Sequence, residues 1–221
     1  MKLPAKLALT GLLVLILTAT GSLGWFFFSN GDLPEVGLLN PFAPNTPGVA
    51  TDPCLSHPIA VVPAREIAQE MVVAIKAAEW ETIRPFQVTR SLLCGRQRLG
   101  NLRYALDQYR LVWRIRWRFT KDQLLTVYLN RVYFGDDTFG VADAARHFFG
   151  KKPKHLNVAE AALLAGMTRA PARFSPYKYP DAALRRRNEV IEAMRLQGAI
   201  SAEEASKAEA TPLGVLPQAT R

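Results

Sequence analysis

The chain is poor in the residues that bind metals and carry redox chemistry. Cysteine occurs twice, at Cys54 and Cys94, and histidine three times, at His57, His147 and His155. These five form no ligand cluster, so a zinc site is not expected. No cofactor is evident, and a divalent cation stays open. The two thiols can pair if the domain is exported, but sequence does not fix the distance between them. Acids are also scarce: 19 Asp and Glu stand against 28 Lys and Arg in 221 residues, a net charge of +9. That imbalance favours anionic partners such as phospholipid heads, pyrophosphate or nucleic acid. Two patterns are absent. No segment repeats, and no run shows the strict alternation of a half-buried strand.

One long hydrophobic run is present. Lys2 and Lys6 precede an apolar stretch from Leu7 to Phe28. It has about the ~20 residues needed to cross the ~30 Å hydrocarbon core. Basic residues before it, and none just after, favour a cytoplasmic N-terminus. Trp25, Phe26, Phe27 and Phe28 would sit at the outer interface, where aromatic rings are enriched. The rival reading is a cleaved signal peptide with small residues at Ala19 and Gly21. The run continues past that point, which favours a retained single-pass anchor over residues 1–28.

Residues 29–58 read as a linker. Pro34, Pro41, Pro44, Pro47, Pro53 and Pro58 recur with Gly31, Gly37 and Gly48, a composition of extended, polyproline-like chain. A globular domain follows over 59–221 and reads as mainly α. Ala64 to Glu81 carries Ile67, Met71, Ala74, Ile75 and Ala78 at helical spacing. Thr120 with Gln123, Asn157 with Glu160 and Ser201 with Glu204 are capping boxes. A further helix begins at Pro180 and Asp181 and stops at Gly198.

From Arg84 to Arg118 there are nine arginines and one acid, Asp107. Arg110, Arg114 and Arg118 share one helical face, and Leu102, Leu106, Tyr109, Trp113 and Trp117 line another. A basic, aromatic helix near a transmembrane anchor reads as a membrane-surface element binding anionic lipid. The same pattern suits nucleic acid, although an exported domain would rarely meet any. A core helix with a solvated arginine face is the plainer alternative.

The stretch from Thr120 to Ile191 is the most specific. It contains TKDQLLTVYLN, RVYFG, ADAARHFFG and RRRNEVI. It resembles the C-terminal half of the peptidoglycan glycosyltransferase domain, family 51 of the glycosyltransferases. That domain occurs in monofunctional murein polymerases and in bifunctional penicillin-binding proteins. The resemblance implies a lysozyme-like helical fold with two lobes around a cleft. It also implies a lipid-linked disaccharide-pentapeptide precursor or glycan strand as partner.

The same resemblance assigns residues. Val62, Pro63, Ile67, Met71, Ala74, Ile75, Ala77 and Ala78 match the run that leads to the family's catalytic acid, which places Glu79 as candidate general base. Such a base takes the proton of an acceptor hydroxyl as that hydroxyl attacks the donor's anomeric carbon. The plainer reading of Glu79 is an exposed helix-end carboxylate. Lys121, Asn130, Arg186 and Arg187 fall on substrate-side motifs, the arginines alternatively forming a solvated basic face. Other motif positions depart from the pattern. The acids expected beside Glu79 and further on are Trp80, Gln108 and Thr126. Tyr104 and Ala105 replace two cations, and Ile83 replaces an aromatic. The Ser-Thr-rich donor motif is missing, and the chain is about 25 residues shorter there than the family pattern.

Two functions follow as expectations. One is a peptidoglycan glycosyltransferase-like protein on the outer side of the bacterial cytoplasmic membrane, with weak or lost polymerising activity. The other is a non-catalytic relative that binds precursor, glycan or other wall-synthesis proteins. A degenerate product with no role is a third.

Overall fold

The computed structural model describes residues 48–50, 59–79, 89 and 101–217. The apolar run Leu7–Phe28, most of the linker, Cys54, Cys94 and Trp80 lie outside them. Among the described residues no helix is long and apolar enough to cross a membrane.

Seven α-helices dominate these residues, in keeping with the expected class. They are α1 (Gln69–Glu79), α2 (Asn101–Arg118), α3 (Lys121–Arg131), α4 (Val141–Phe149), α5 (Val158–Met167), α6 (Pro180–Leu196) and α7 (Ala202–Ala210). Strands are few and short. β1 (Gly48–Ala50) pairs antiparallel with β2 (Ile59–Val61), and β3 (Tyr133–Gly135) with β4 (Thr138–Phe139). Ladders of two or three residues are too short to show an alternating pattern, which is why periodicity does not reveal them.

Helix α5 lies at the centre. Its sequence, VAEAALLAGM, is apolar on nearly every side, as a helix surrounded by others must be. Ala161, Ala162, Leu163, Leu164 and Ala165 are all buried. Helices α1 and α6 pack against it and against each other, contributing Met71, Ala74 and Ile75 from one side and Ala183, Val190, Ile191 and Met194 from the other. Each fully buried Leu or Ile stabilises the fold by about 1.5–3 kcal/mol relative to exposure. At Gly166 the contact is so close that an added Cβ would come 2.9 Å from Cγ of Arg186. A glycine there lets α5 and α6 touch.

All three capping boxes form. The side chains of Thr120, Asn157 and Ser201 accept from the backbone N–H of Gln123, Glu160 and Glu204, and each of those side chains accepts from the cap residue's own N–H. Helix α6 starts at Pro180, and Gly198, just past its end, has φ +70°. One boundary differs from the sequence expectation. The segment expected to be helical from Ala64 begins instead with a 3-10 turn, Ala64–Glu66, and Ile67 is extended. The N–H of Ala68 donates to the carbonyl of Pro153 at 3.2 Å. A tertiary hydrogen bond has displaced a helical one.

Candidate functional site

Helix α1 ends on Glu79, and α3 begins on Lys121. One ion pair joins these two helix ends. Lys76 Nζ donates to Asp122 Oδ1 at 3.2 Å. The bond sets the last turn of α1 beside the first turn of α3, so the positions carrying Glu79 and Lys121 share one neighbourhood. Both partners are well exposed, with side chains 41% and 82% accessible, so the pair contributes under about 1 kcal/mol and serves mainly to orient. Lys76 and Asp122 were not singled out by sequence. The available signal was the acid in the first turn after a capping box, where a helix N-terminus favours negative charge. Among the described residues no three His, Cys, Asp or Glu side chains gather to hold a metal ion.

Thr126 and Asn130 follow on α3, and both are buried. The hydroxyl of Thr126 donates to the carbonyl of Asp122 at 3.0 Å, one turn back in its own helix. A position expected to carry an acid is thus closed into backbone. Asn130 is also fully engaged. Its Oδ1 accepts from the N–H of Val62 at 2.8 Å, while Nδ2 donates to the carbonyls of Val62 and Thr126, each at 2.9 Å. This amide clamps the backbone just after β2 to α3. Gly140 stands against the same point: its φ is +80°, and a Cβ there would lie 2.6 Å from the Asn130 carbonyl oxygen.

Arg186 and Arg187 diverge. Arg187 is 1% exposed. It donates to the carbonyls of Thr211 at 2.6 Å and Glu209 at 2.9 Å, and to Asn188 Oδ1 at 3.0 Å. Burial lowers its pKa from the ordinary arginine value, with Glu209 opposing. The solvated basic face considered from sequence is therefore not what Arg187 forms; it fastens the C-terminal end of α7 and Thr211 beyond it. Arg186 pairs with Glu189, one turn on in its own helix, at 2.9 Å.

Helix α2 carries the aromatic residues outward. Tyr109, Trp113 and Trp117 are exposed, Trp117 most of all at 73%. The two indoles stack with centroids 6.2 Å apart. The face that enters the core is a third one, Leu111 and Ile115, each about 200° around the helix from Trp113 at ~100° per residue. The arginine face lies between. Arg110 departs from the expectation of a membrane-facing cation. Its side chain is only 12% exposed and lies 3.7 Å from Asp107, itself buried. The side chain of Arg118 lies outside the described ones, whereas Arg114 is half-buried on α2.

Comparison with known proteins extends this picture. The family described as Transglycosylase matches residues 82–195, a span that opens just after Glu79. Penicillin-binding protein 1A of Streptococcus oralis is 45% identical over 94 residues, covering 42% of this chain and 15% of that protein. Penicillin-binding protein 1A of Aquifex aeolicus is 36% identical over 129 residues, 58% of this chain and 18% of that protein. A Cupriavidus necator protein that carries the name transglycosylase is 36% identical over 127 residues, 58% of this chain and 54% of its own length. The crystal structure of penicillin-binding protein 1A from Haemophilus influenzae superposes with a TM-score of 0.52 at 24% identity, over 72% of this chain and 18% of that one. The fold is shared. The chain spans a small fraction of the penicillin-binding proteins and about half of the Cupriavidus relative.

Proposed function

We propose, since this chain belongs to the transglycosylase family, that it is a peptidoglycan glycosyltransferase-like protein whose polymerising activity is weak or lost. Its domain has the two-lobed, lysozyme-like form and stands outside the cytoplasmic membrane behind the Leu7–Phe28 anchor. Its partner is the lipid-linked disaccharide-pentapeptide precursor or a glycan strand. Position 126 carries the reading. Where the family pattern has an acid, Thr126 is buried and its hydroxyl is bonded to its own helix. No carboxylate stands there to position a reacting group.

Glu79 remains the candidate base, aided by Lys121 across the α1–α3 junction. A general base contributes ~10²–10⁴-fold in rate. Positioning of the reactants contributes separately, ~7–11 kcal/mol in favourable cases. A chain with one acid and no donor motif loses most of the second contribution. Nothing in this reading opposes binding, and the core that supports the site is intact. Precursor binding without turnover is the second form of the same function. The exposed Trp113–Trp117 stack favours a lipid surface as a further partner, since aromatic rings are stabilised at the bilayer interface.

The test supplies labelled lipid-linked disaccharide pentapeptide to the full chain in detergent and resolves glycan chains on a gel. The expected result is no chains, or chains at a rate orders of magnitude below an intact relative, with measurable precursor binding. Vigorous polymerisation abolished by Glu79→Gln would overturn the reading and establish Glu79 as the base.

A further inference from the structure

A concavity of about 500 Å³ lies between β2, α4 and the turn at 151–154, in the size range of small-ligand sites. Its walls are tied together. The N–H of Ala60 donates to Asp143 Oδ2 at 3.4 Å, which joins β2 to α4. Pro153 is buried, and its carbonyl accepts from the N–H of Ala68 at 3.2 Å, which anchors the turn. Arg146 is held by Asp143 at 3.1 Å and Lys151 by Glu160 at 2.6 Å. The hollow is therefore formed before any partner arrives, and little ordering is lost on binding.

The lining offers three chemistries. Ala60, Val61, Val62 and Ala142 make an apolar floor. Lys152 and Lys154 stand exposed at the rim, and neither forms an ion pair among the described residues. Glu66 is the only acid among the described lining residues, and none of them donates a hydrogen bond to its carboxylate. An ionised carboxylate only accepts hydrogen bonds. Lysine ammoniums are compact charges that take single carboxylates from several directions, whereas phosphate is matched best by arginine forks. Among the described residues no aromatic ring lines the hollow, so a nucleic-acid base has nothing to stack on. An acidic peptide with one aliphatic residue satisfies all three. Its carboxylates meet Lys152 and Lys154, its aliphatic side chain covers the floor, and its backbone N–H groups donate to Glu66. A chain of phosphates has no N–H for Glu66 and is repelled by it.

We infer that this hollow docks an acidic segment of a protein partner, with an aliphatic side chain seated between β2 and α4. The site makes no use of Glu79 or of the lipid-linked precursor, and it stands whether or not the chain polymerises glycan.

Fluorescence anisotropy on the full chain in neutral detergent tests this. The probes are a labelled Glu-Glu-Leu-Glu-Glu peptide, the same peptide with Ser in place of Leu, and inorganic polyphosphate as unlabelled competitor. The leucine peptide is expected to bind saturably, and the serine peptide roughly tenfold more weakly as the aliphatic contact is lost. Lys152→Gln/Lys154→Gln is expected to weaken the leucine peptide roughly tenfold. Lys178→Gln/Lys207→Gln removes the same charge from exposed positions elsewhere and is expected to change affinity by less than roughly twofold, as long-range charge is screened. No saturable binding of the leucine peptide would overturn the site, and so would equal affinity for the two peptides or equal weakening by the two lysine pairs. Polyphosphate that competes, at equal total charge, as well as unlabelled leucine peptide would show that the hollow reads charge alone, which also overturns it. Thermal melting of each variant confirms folding before titration.

Discussion

Asn130 and Val62, 68 residues apart, exchange two hydrogen bonds, the amide oxygen accepting at 2.8 Å and the amide nitrogen donating at 2.9 Å. The side chain mimics a strand partner for the residue that follows β2. Asn130→Ala is expected to destabilise the domain by about 2–4 kcal/mol, because buried backbone groups lose their partners. Asn130→Asp should cost more, since a carboxylate oxygen would face two carbonyls. Urea unfolding of the variants measures both.

Arg187 offers a second test. Replacing it with Met removes two hydrogen bonds to the C-terminal carbonyls of Thr211 and Glu209 and one to Asn188. A loss of about 2–4 kcal/mol is expected, together with faster proteolysis after Ala210. Arg187→Lys should not restore the wild-type value, because one ammonium cannot span the separate carbonyls of Glu209 and Thr211. Wild-type resistance in both variants would show that this fastening contributes nothing.

The exposed indoles predict a separation between stability and binding. Trp113→Ser/Trp117→Ser is expected to change folding stability by no more than about 0.5 kcal/mol per site, while reducing association with anionic vesicles. By contrast, Arg110→Gln should lower stability, because it breaks the partner of buried Asp107. Co-sedimentation and thermal melting on the same samples separate the two effects.

Tyr177 predicts alkaline behaviour. Burial raises its pKa above the ordinary phenol value, and Asp136 adds to the shift. The native state therefore holds this proton more tightly than the unfolded chain does. The associated stability is complete below about pH 10, the unfolded phenol value, and is lost as pH rises through the folded one. Tyr177→Phe should flatten the fall in melting temperature above pH 10. An unchanged slope would assign the fall to other groups.

What the sequence discloses follows the range of each interaction. The three capping boxes span four residues each and were legible in full. So was the helical class, since α5 and α6 carry strong local patterns. The break at Ile67 was not legible, because it depends on Pro153, far along the chain. Spacing placed Trp113 and Trp117 on one face of α2 but could not say that Leu111 and Ile115, on the opposite face, would enter the core. Asn130 and Arg187 were read as candidate substrate contacts from motif position. Their backbone partners lie 68 and 22–24 residues away, beyond any local rule.

The Asn130–Val62 clamp also bears on how this chain tolerates change. Everything between residues 62 and 130 is the loop that this clamp closes, including the stretch that the sequence resemblance reads as shortened. Closure entropy grows only with the logarithm of length. Restoring about 25 residues to that span would alter the closure term by only about 0.3 kcal/mol. Folding is therefore nearly blind to the length of this region, and insertions or deletions in it are filtered by what the segment does, not by whether the domain holds together.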